Sequence, residues 1–228
     1  MKYSILIFII SFVSLETTIA FSQTPDLLPQ QTPNDTLQLV YVSAPDASTF
    51  HAEVTCYSRK SPNEPWRPEI KSLPATIGRN GLAEEGMKKE KDGQTPQGEF
   101  GVAFVFGVEP SPPKDVKLPY RQATTSDFWI DEETDLRYNR WISGTAPDVS
   151  HETLILNDER YNLCLVTTYN ENPTILGKGS AIFLHIWKKE DHPTSGCIAL
   201  SRENVLSILR WLDPSKKPRI RIEVLKKD

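Results

Sequence analysis

Cys197 stands in the run Thr194-Ser195-Gly196-Cys197-Ile198-Ala199-Leu200, and two histidines, His185 and His192, precede it closely. A thiolate attacks where a thiol does not, and at an unperturbed pKa of about 8.5 only a few per cent of cysteine is ionised at pH 7. A neighbouring imidazole can take that proton and later return it to a leaving amine. The glycine ahead of the cysteine, with no Cβ, permits a sharp turn in which successive backbone N–H groups converge on one point. Converging amides are what a tetrahedral oxyanion requires. Nucleophile, base and oxyanion hole thus fall within one short stretch, and together they describe acyl transfer. The same residues admit two other readings. His185 and Cys197 could be ordinary buried residues, or His185, Asp191, His192 and Cys197 could hold zinc, although the usual Cys-x-x-Cys or His-Glu-x-x-His pairs are missing.

Such a site needs a frame. The chain has 228 residues, 38% hydrophobic and 25% charged, enough for one domain that buries roughly 70% of its unfolded surface. That composition excludes a disordered or collagen-like chain. With Lys+Arg 26 against Asp+Glu 30 the net charge is −4, which excludes a nucleic-acid binder that relies on a basic face. Short runs rich in Val, Ile, Phe and Tyr at 37–42, 52–57, 100–106, 163–169 and 181–185, bounded by Gly, Pro, Asn and Asp, predict strands. Residues 219–224 alternate polar and apolar with period two and predict a half-buried strand. A helix is predicted after Ser201, with Val205, Leu206, Leu209 and Leu212 on one face and a stop at Asp213-Pro214. A second, shorter helical stretch is expected over 82–89. Many short strands without strand–helix alternation predict a mainly β domain. Asp92, Thr95 and Pro96 read as a turn before the strand at Phe100. Trp129, Tyr138 and Trp141 read as core aromatics, with cleft lining as the alternative.

The N-terminus reads as an export signal. Lys2 supplies a positive start, residues 5–15 are apolar apart from Ser11 and Ser14, and Ala20 and Ser22 are small residues suited to a cleavage site. Residues 1–22 are therefore expected to be a signal peptide, cleaved after Ser22. A retained anchor is the alternative, although the apolar run is shorter than the ~20 residues a bilayer span needs. No later stretch approaches that length. Residues 23–36 carry three prolines and read as an extended leader, which leaves 37–228 as the domain. Three cysteines in an exported chain leave at least one thiol free unless it pairs between chains. Cys56 and Cys164 read as small core residues, with a bridge between them as the alternative.

Beyond the residue chemistry, the chain resembles the L,D-transpeptidase catalytic-domain (YkuD-type) family. Gly179-Ser180-Ala181-Ile182-Phe183-Leu184-His185 followed by Thr194-Ser195-Gly196-Cys197-Ile198-Ala199-Leu200 looks like the family's catalytic signature. Upstream, Ile77-Gly78-Arg79-Asn80-Gly81-Leu82, Lys91-Asp92-Gly93-Gln94-Thr95-Pro96-Gln97-Gly98-Glu99-Phe100, Trp129-Ile130-Asp131 and Tyr138-Asn139-Arg140-Trp141 fall in the expected order. The resemblance implies a twisted β-sandwich-like fold, no metal and no cofactor. It assigns nucleophile to Cys197, general base and acid to His185 with His192 in reserve, and an oxyanion hole to the backbone amides of Gly196 and Cys197, with Ser195. It also implies peptidoglycan stem peptides as partners. The amide after a diaminopimelyl residue would be attacked through a thioester, and the acyl group passed to an amine, in cell-wall biogenesis and cell shape. Hydrolysis of the same linkages, as an L,D-carboxypeptidase or amidase, is the alternative within the enzyme class. The commonest family pattern has His where Ser195 stands and Arg or Asn where Ala199 stands, and its histidine-to-cysteine interval is longer. Missing acceptor-side groups motivate a third expectation, a non-catalytic wall-binding module. The location implied is periplasmic or envelope-associated.

Overall fold

The computed structural model describes residues 33 and 35–225. The expected signal peptide and nearly all of the expected leader lie outside the described residues. In chain order the strands are β1 (Gln38–Ala44), β2 (His51–Ser58), β3 (Arg67–Thr76), β4 (Leu82–Ala83), β5 (Thr95–Pro96), β6 (Gly98–Gly107) and β7 (Tyr120–Gln122). They continue as β8 (Asp127–Ile130), β9 (Trp141–Ser143), β10 (His151–Thr153), β11 (Leu163–Thr167), β12 (Phe183–Ile186) and β13 (Ile198–Leu200). Helix α1 (Arg202–Trp211) follows, and β14 (Arg219–Val224) ends the fold.

Nine strands form one sheet in the order β11-β12-β13-β3-β2-β1-β14-β6-β7. The long strand β6 also pairs with β11, so the sheet curls round and closes on itself. Closure removes most of the free edge that an open sheet of this size would present. The fold is mainly β, as the sequence predicts. β3 joins β13 only at Ala199↔Thr76, so much of its outer side is unpaired, and Pro68 and Pro74 are tolerated there.

Helix α1 begins where Ser201 accepts a hydrogen bond from the Asn204 N–H, and its Val205, Ile208 and Leu209 are buried. The Pro214 that was expected to stop it lies just beyond the Leu212 cap. β14 takes the bounds its alternation indicates, with Ile220 and Ile222 fully buried. The expected helix over 82–89 does not form: β4 and a series of turns occupy that stretch. Gly81, just before it, and Gly86, within it, both take positive φ and break a helical path. Trp129 and Tyr138 are buried as expected, whereas Trp141 is half-buried. All three cysteines are free thiols. Cys56 and Cys164 are both buried, in separate apolar clusters, as small core residues rather than a bridge.

Strand alternation sorts the interior into two clusters. Leu163 and Leu165 of β11, Leu184 and Ile186 of β12, and Ile198 and Leu200 of β13 enter the main core beside α1. Cys164, Val166, Phe183 and Cys197 face the other way, among Phe106, Trp129 and Tyr161. Period-two geometry carries His185 to the same face as Phe183 and Cys197. That face floors the cleft.

Candidate active site

A cleft of about 720 Å³ opens over these strand ends, and its lining includes both Cys197 and His185. β12 and β13 run parallel with Leu184↔Ile198 and His185↔Ala199 in register. Cys197, one residue before β13, therefore lies on the same face as His185 of the neighbouring strand. The Tyr161 ring packs edge-on against both His185 (centroids 5.3 Å apart) and Phe183.

His185 Nδ1 lies 2.8 Å from the Ile186 carbonyl oxygen. A carbonyl only accepts, so Nδ1 carries the proton and Nε2 is left with the lone pair a base needs. The group that orients His185, which could not be read from the sequence, is thus backbone. The Cys197 thiol donates to the Ala181 carbonyl at 3.1 Å, and its sulfur accepts the Phe183 N–H at 3.4 Å. Sulfur and imidazole share the cleft floor without a hydrogen bond between them in this state, and catalytic contacts of this kind often tighten only when substrate binds.

Burial sets both protonation states. It pushes the Cys197 thiol up to about 12, the Glu152 charge adding to the effect, and it pulls His185 down to about 4. At pH 7 the pair is thiol and neutral imidazole, not thiolate and imidazolium. Any nucleophilic attack by this thiol would have to be accompanied by proton transfer.

The turn that carries Cys197 is held from below. Gly78 bridges Thr194, the Arg79 N–H donates to the Thr194 carbonyl at 2.9 Å, and the Thr194 N–H donates to Ile77. Thr95 receives the Gly78 N–H at 2.8 Å and donates its own hydroxyl to the Gly196 carbonyl at 2.8 Å. Thr95 and Pro96, expected in a turn, form β5 instead, and Thr95 ties that strand to the turn that carries Cys197. Gly196 sits at φ +149, and a Cβ there would lie 2.9 Å from the Gln94 carbonyl. Only glycine passes without strain. Of the three amides assigned to the oxyanion hole, that of Gly196 is donated to Thr194 Oγ1 at 3.0 Å. Ser195, Gly196 and Cys197 all line the cleft.

His192 also lines the cleft, with its carbonyl accepting the Thr76 hydroxyl. Asp191 turns to His51 (3.1 Å), and among the described residues no cluster of three or more His, Cys, Asp or Glu could hold a metal.

Several lining residues escape sequence reasoning. Lys88 is buried and ion-paired with Asp92 at 2.5 Å. Glu90 accepts from Tyr138 and Ser180. Glu152 accepts from the Tyr161 hydroxyl at 2.7 Å. Only tertiary contact brings these loops together, so spacing along the chain carries no signal for them. His151 bonds the Val149 carbonyl through Nδ1 and lines the cleft with Glu152.

Glu152 offers a stability test. Burial, with Asp131 and Glu90 nearby, raises its carboxyl from 4.5 to about 6, against the hydrogen bond from Tyr161. The folded state binds this proton more tightly than the unfolded state does. Its contribution is present below pH 4.5 and lost as pH rises through 6. Glu152→Gln should therefore melt above the wild type at pH 8, with the gap narrowing at pH 4.5. The opposite titration of His185 is common to both proteins and cancels. Melting curves at the two pH values check this, and a pH-independent difference would contradict it.

The family model for the YkuD L,D-transpeptidase catalytic domain matches residues 60–222, which include every residue of the site just described. The chain belongs to this L,D-transpeptidase family. Comparison with curated proteins found no match. Among solved structures, this L,D-transpeptidase domain is similar to one titled "Structure of Bdellovibrio bacteriovorus Bd1075", at 14% identity and a TM-score of 0.42. That similarity covers 84% of this chain and 49% of the other, so the chain spans about half the length of that structure.

Proposed function

We propose that the protein is an exported cysteine acyltransferase that cleaves amide bonds of peptidoglycan stem peptides through a thioester on Cys197. The observation that carries this reading is the placement of Cys197 and His185 on one face of adjacent strands, at the floor of an open cleft. As substrate enters, the thiol leaves the Ala181 carbonyl and gives its proton to His185 Nε2 while sulfur bonds to the scissile carbonyl carbon. The carbonyl oxygen gains the negative charge and is met by backbone N–H groups of the turn, that of Cys197 foremost. The C–N bond then breaks, and His185 hands the proton to the leaving amine. An acceptor amine attacks the thioester, His185 takes its proton, and the C–S bond breaks as His185 returns that proton to sulfur, restoring the thiol and the neutral imidazole. Water in place of the amine makes the same chemistry a hydrolysis. Export is supported by Lys2 and the apolar run after it, and it would place the enzyme in the periplasm or envelope, where its substrate lies.

The test is mass-resolved. Purified protein is incubated with a diaminopimelyl stem peptide and an amine acceptor. The expected result is an acyl adduct on Cys197 together with acceptor-linked product. Hydrolysed peptide as the sole product would make the enzyme a carboxypeptidase. Binding with neither adduct nor product would make the domain a wall-binding module.

A further inference from the structure

The catalytic turn has no cation of its own, since Ser195 and the buried Ala199 stand beside Cys197 where a charged or amide group could grip a substrate. A guanidinium from another loop fills that place. Arg79 lines the cleft, its backbone N–H is fastened to Thr194, and its Nη1 bonds Ser195 Oγ at 3.2 Å. The group rests on Gly93: a Cβ built there would lie 2.8 Å from Cζ and 3.0 Å from both Nε and Nη2. Three nearly equal distances mean that the guanidinium lies face-on over the glycine, a fit that any larger residue would spoil.

Two of the other cleft cations are paired with carboxylates, and the remaining two, Lys91 and Lys188, are ammonium groups without a planar fork. Lys88 pairs with Asp92, and Arg160 with Asp158. Lys91 reaches only Ser150 Oγ, at 3.4 Å. Among the described residues Arg79 has no carboxylate partner, and its side chain makes one hydrogen bond, from Nη1 to Ser195 Oγ. A planar fork tethered at one corner and otherwise open is suited to bidentate capture of a carboxylate.

We propose that Arg79 is the specificity residue for the acyl donor, binding the free carboxylate of the residue that follows the scissile amide. This rests on the acyl-transfer reading above. A stem peptide that ends one residue past the cleavage point carries its terminal carboxylate one residue, about 3.5 Å of chain, beyond the scissile nitrogen. Arg79 is anchored two residues from the nucleophile, on the turn itself. Donors that end at that residue are accepted, and amidated or longer donors are discriminated against. Arg79 thereby supplies from the loop before β4 what Ala199 cannot.

The experiment compares a donor tetrapeptide ending in a free carboxylate, one residue past diaminopimelate, with its C-terminal carboxamide. Turnover is measured for wild type, Arg79→Ala and Arg79→Lys, and binding of both peptides is measured calorimetrically with Cys197→Ala, alone and combined with Arg79→Ala. The wild type should favour the acid roughly ten- to hundredfold in kcat/KM, as expected for one charge-assisted pair. Arg79→Ala should bring the two donors to near parity by losing the acid donor, and Arg79→Lys should fall between. A purely structural Arg79 would depress both donors equally and leave their ratio intact, which overturns the proposal, as does a wild type indifferent to the carboxylate. If no donor is turned over yet the acid binds more tightly and Arg79→Ala erases the preference, the acyl-transfer reading fails and Arg79 stands. If neither peptide binds, the assignment of Arg79 falls.

Discussion

Cys197→Ala is expected to lower turnover by at least about 10³-fold, because loss of the nucleophile removes the covalent route through its thioester. The fold should survive. Cys197 is mostly buried, but the substitution removes one sulfur and two weak sulfur hydrogen bonds, about 1 kcal/mol at a site of this size. Stem-peptide turnover and a melting curve on the same preparation make the check. Turnover like that of the wild type would end the case for Cys197. So would a loss of activity matched by a loss of fold. Because burial pushes the thiol up to about 12, resting Cys197 should alkylate slowly at neutral pH, unlike a cysteine held as thiolate.

Gly78→Ala is expected to destabilise the fold strongly, although Gly78 has no chemistry of its own. A Cβ there would lie 2.4 Å from the Gly93 carbonyl oxygen and 2.8 Å from Gln94 C and Thr95 N. All three are backbone atoms of the loop that leads into β5, so relief requires the loop itself to move. The same residue bridges Thr194 and donates to Thr95 Oγ1, the hydroxyl that holds the Gly196 carbonyl. Overpacking of this kind costs about 3 kcal/mol, which in a domain of this length lowers Tm by roughly 6–12 °C. Activity should fall further than the folded fraction does, because displacing Thr95 misplaces the turn. A Tm within two degrees of the wild type would show that the loop gives way easily.

Much of the frame is written locally. Helix α1 is legible because Ser201 caps it, four apolar residues recur on one face, and Pro214 stops it. β14 is legible because its polar and apolar residues alternate. β12 is harder. All four of its residues are buried, so Phe183-Leu184-His185-Ile186 shows no alternation in the sequence, although Leu184 and Ile186 face one cluster while Phe183 and His185 face the cleft. β3 is missed because Pro68, Pro74 and its charged residues speak against a strand, and it is tolerated because its outer side is largely unpaired. The helix expected over 82–89 fails for the opposite reason: a weak local preference is overridden by two glycines at positive φ and by the pairing of β4 with β5.

Residue types and their short spacings are enough to show that the chain is mainly β, which residues are candidates for nucleophile and base, and which family the chain resembles. These depend on residue types at short spacing, where local geometry decides. The folded molecule was needed to show that the Ile186 carbonyl orients His185, that thiol and imidazole both rest neutral, that Thr95 and Gly78 brace the turn, and that Arg79 and Glu152 reach the same cleft. The bond from His185 to Ile186 is local, but the bracing contacts and the cleft lining come from segments about 15 to 120 residues apart along the chain, brought together by a sheet that closes on itself. Burial shifts a proton, and a long-range contact orients a side chain, only once that closure has excluded water.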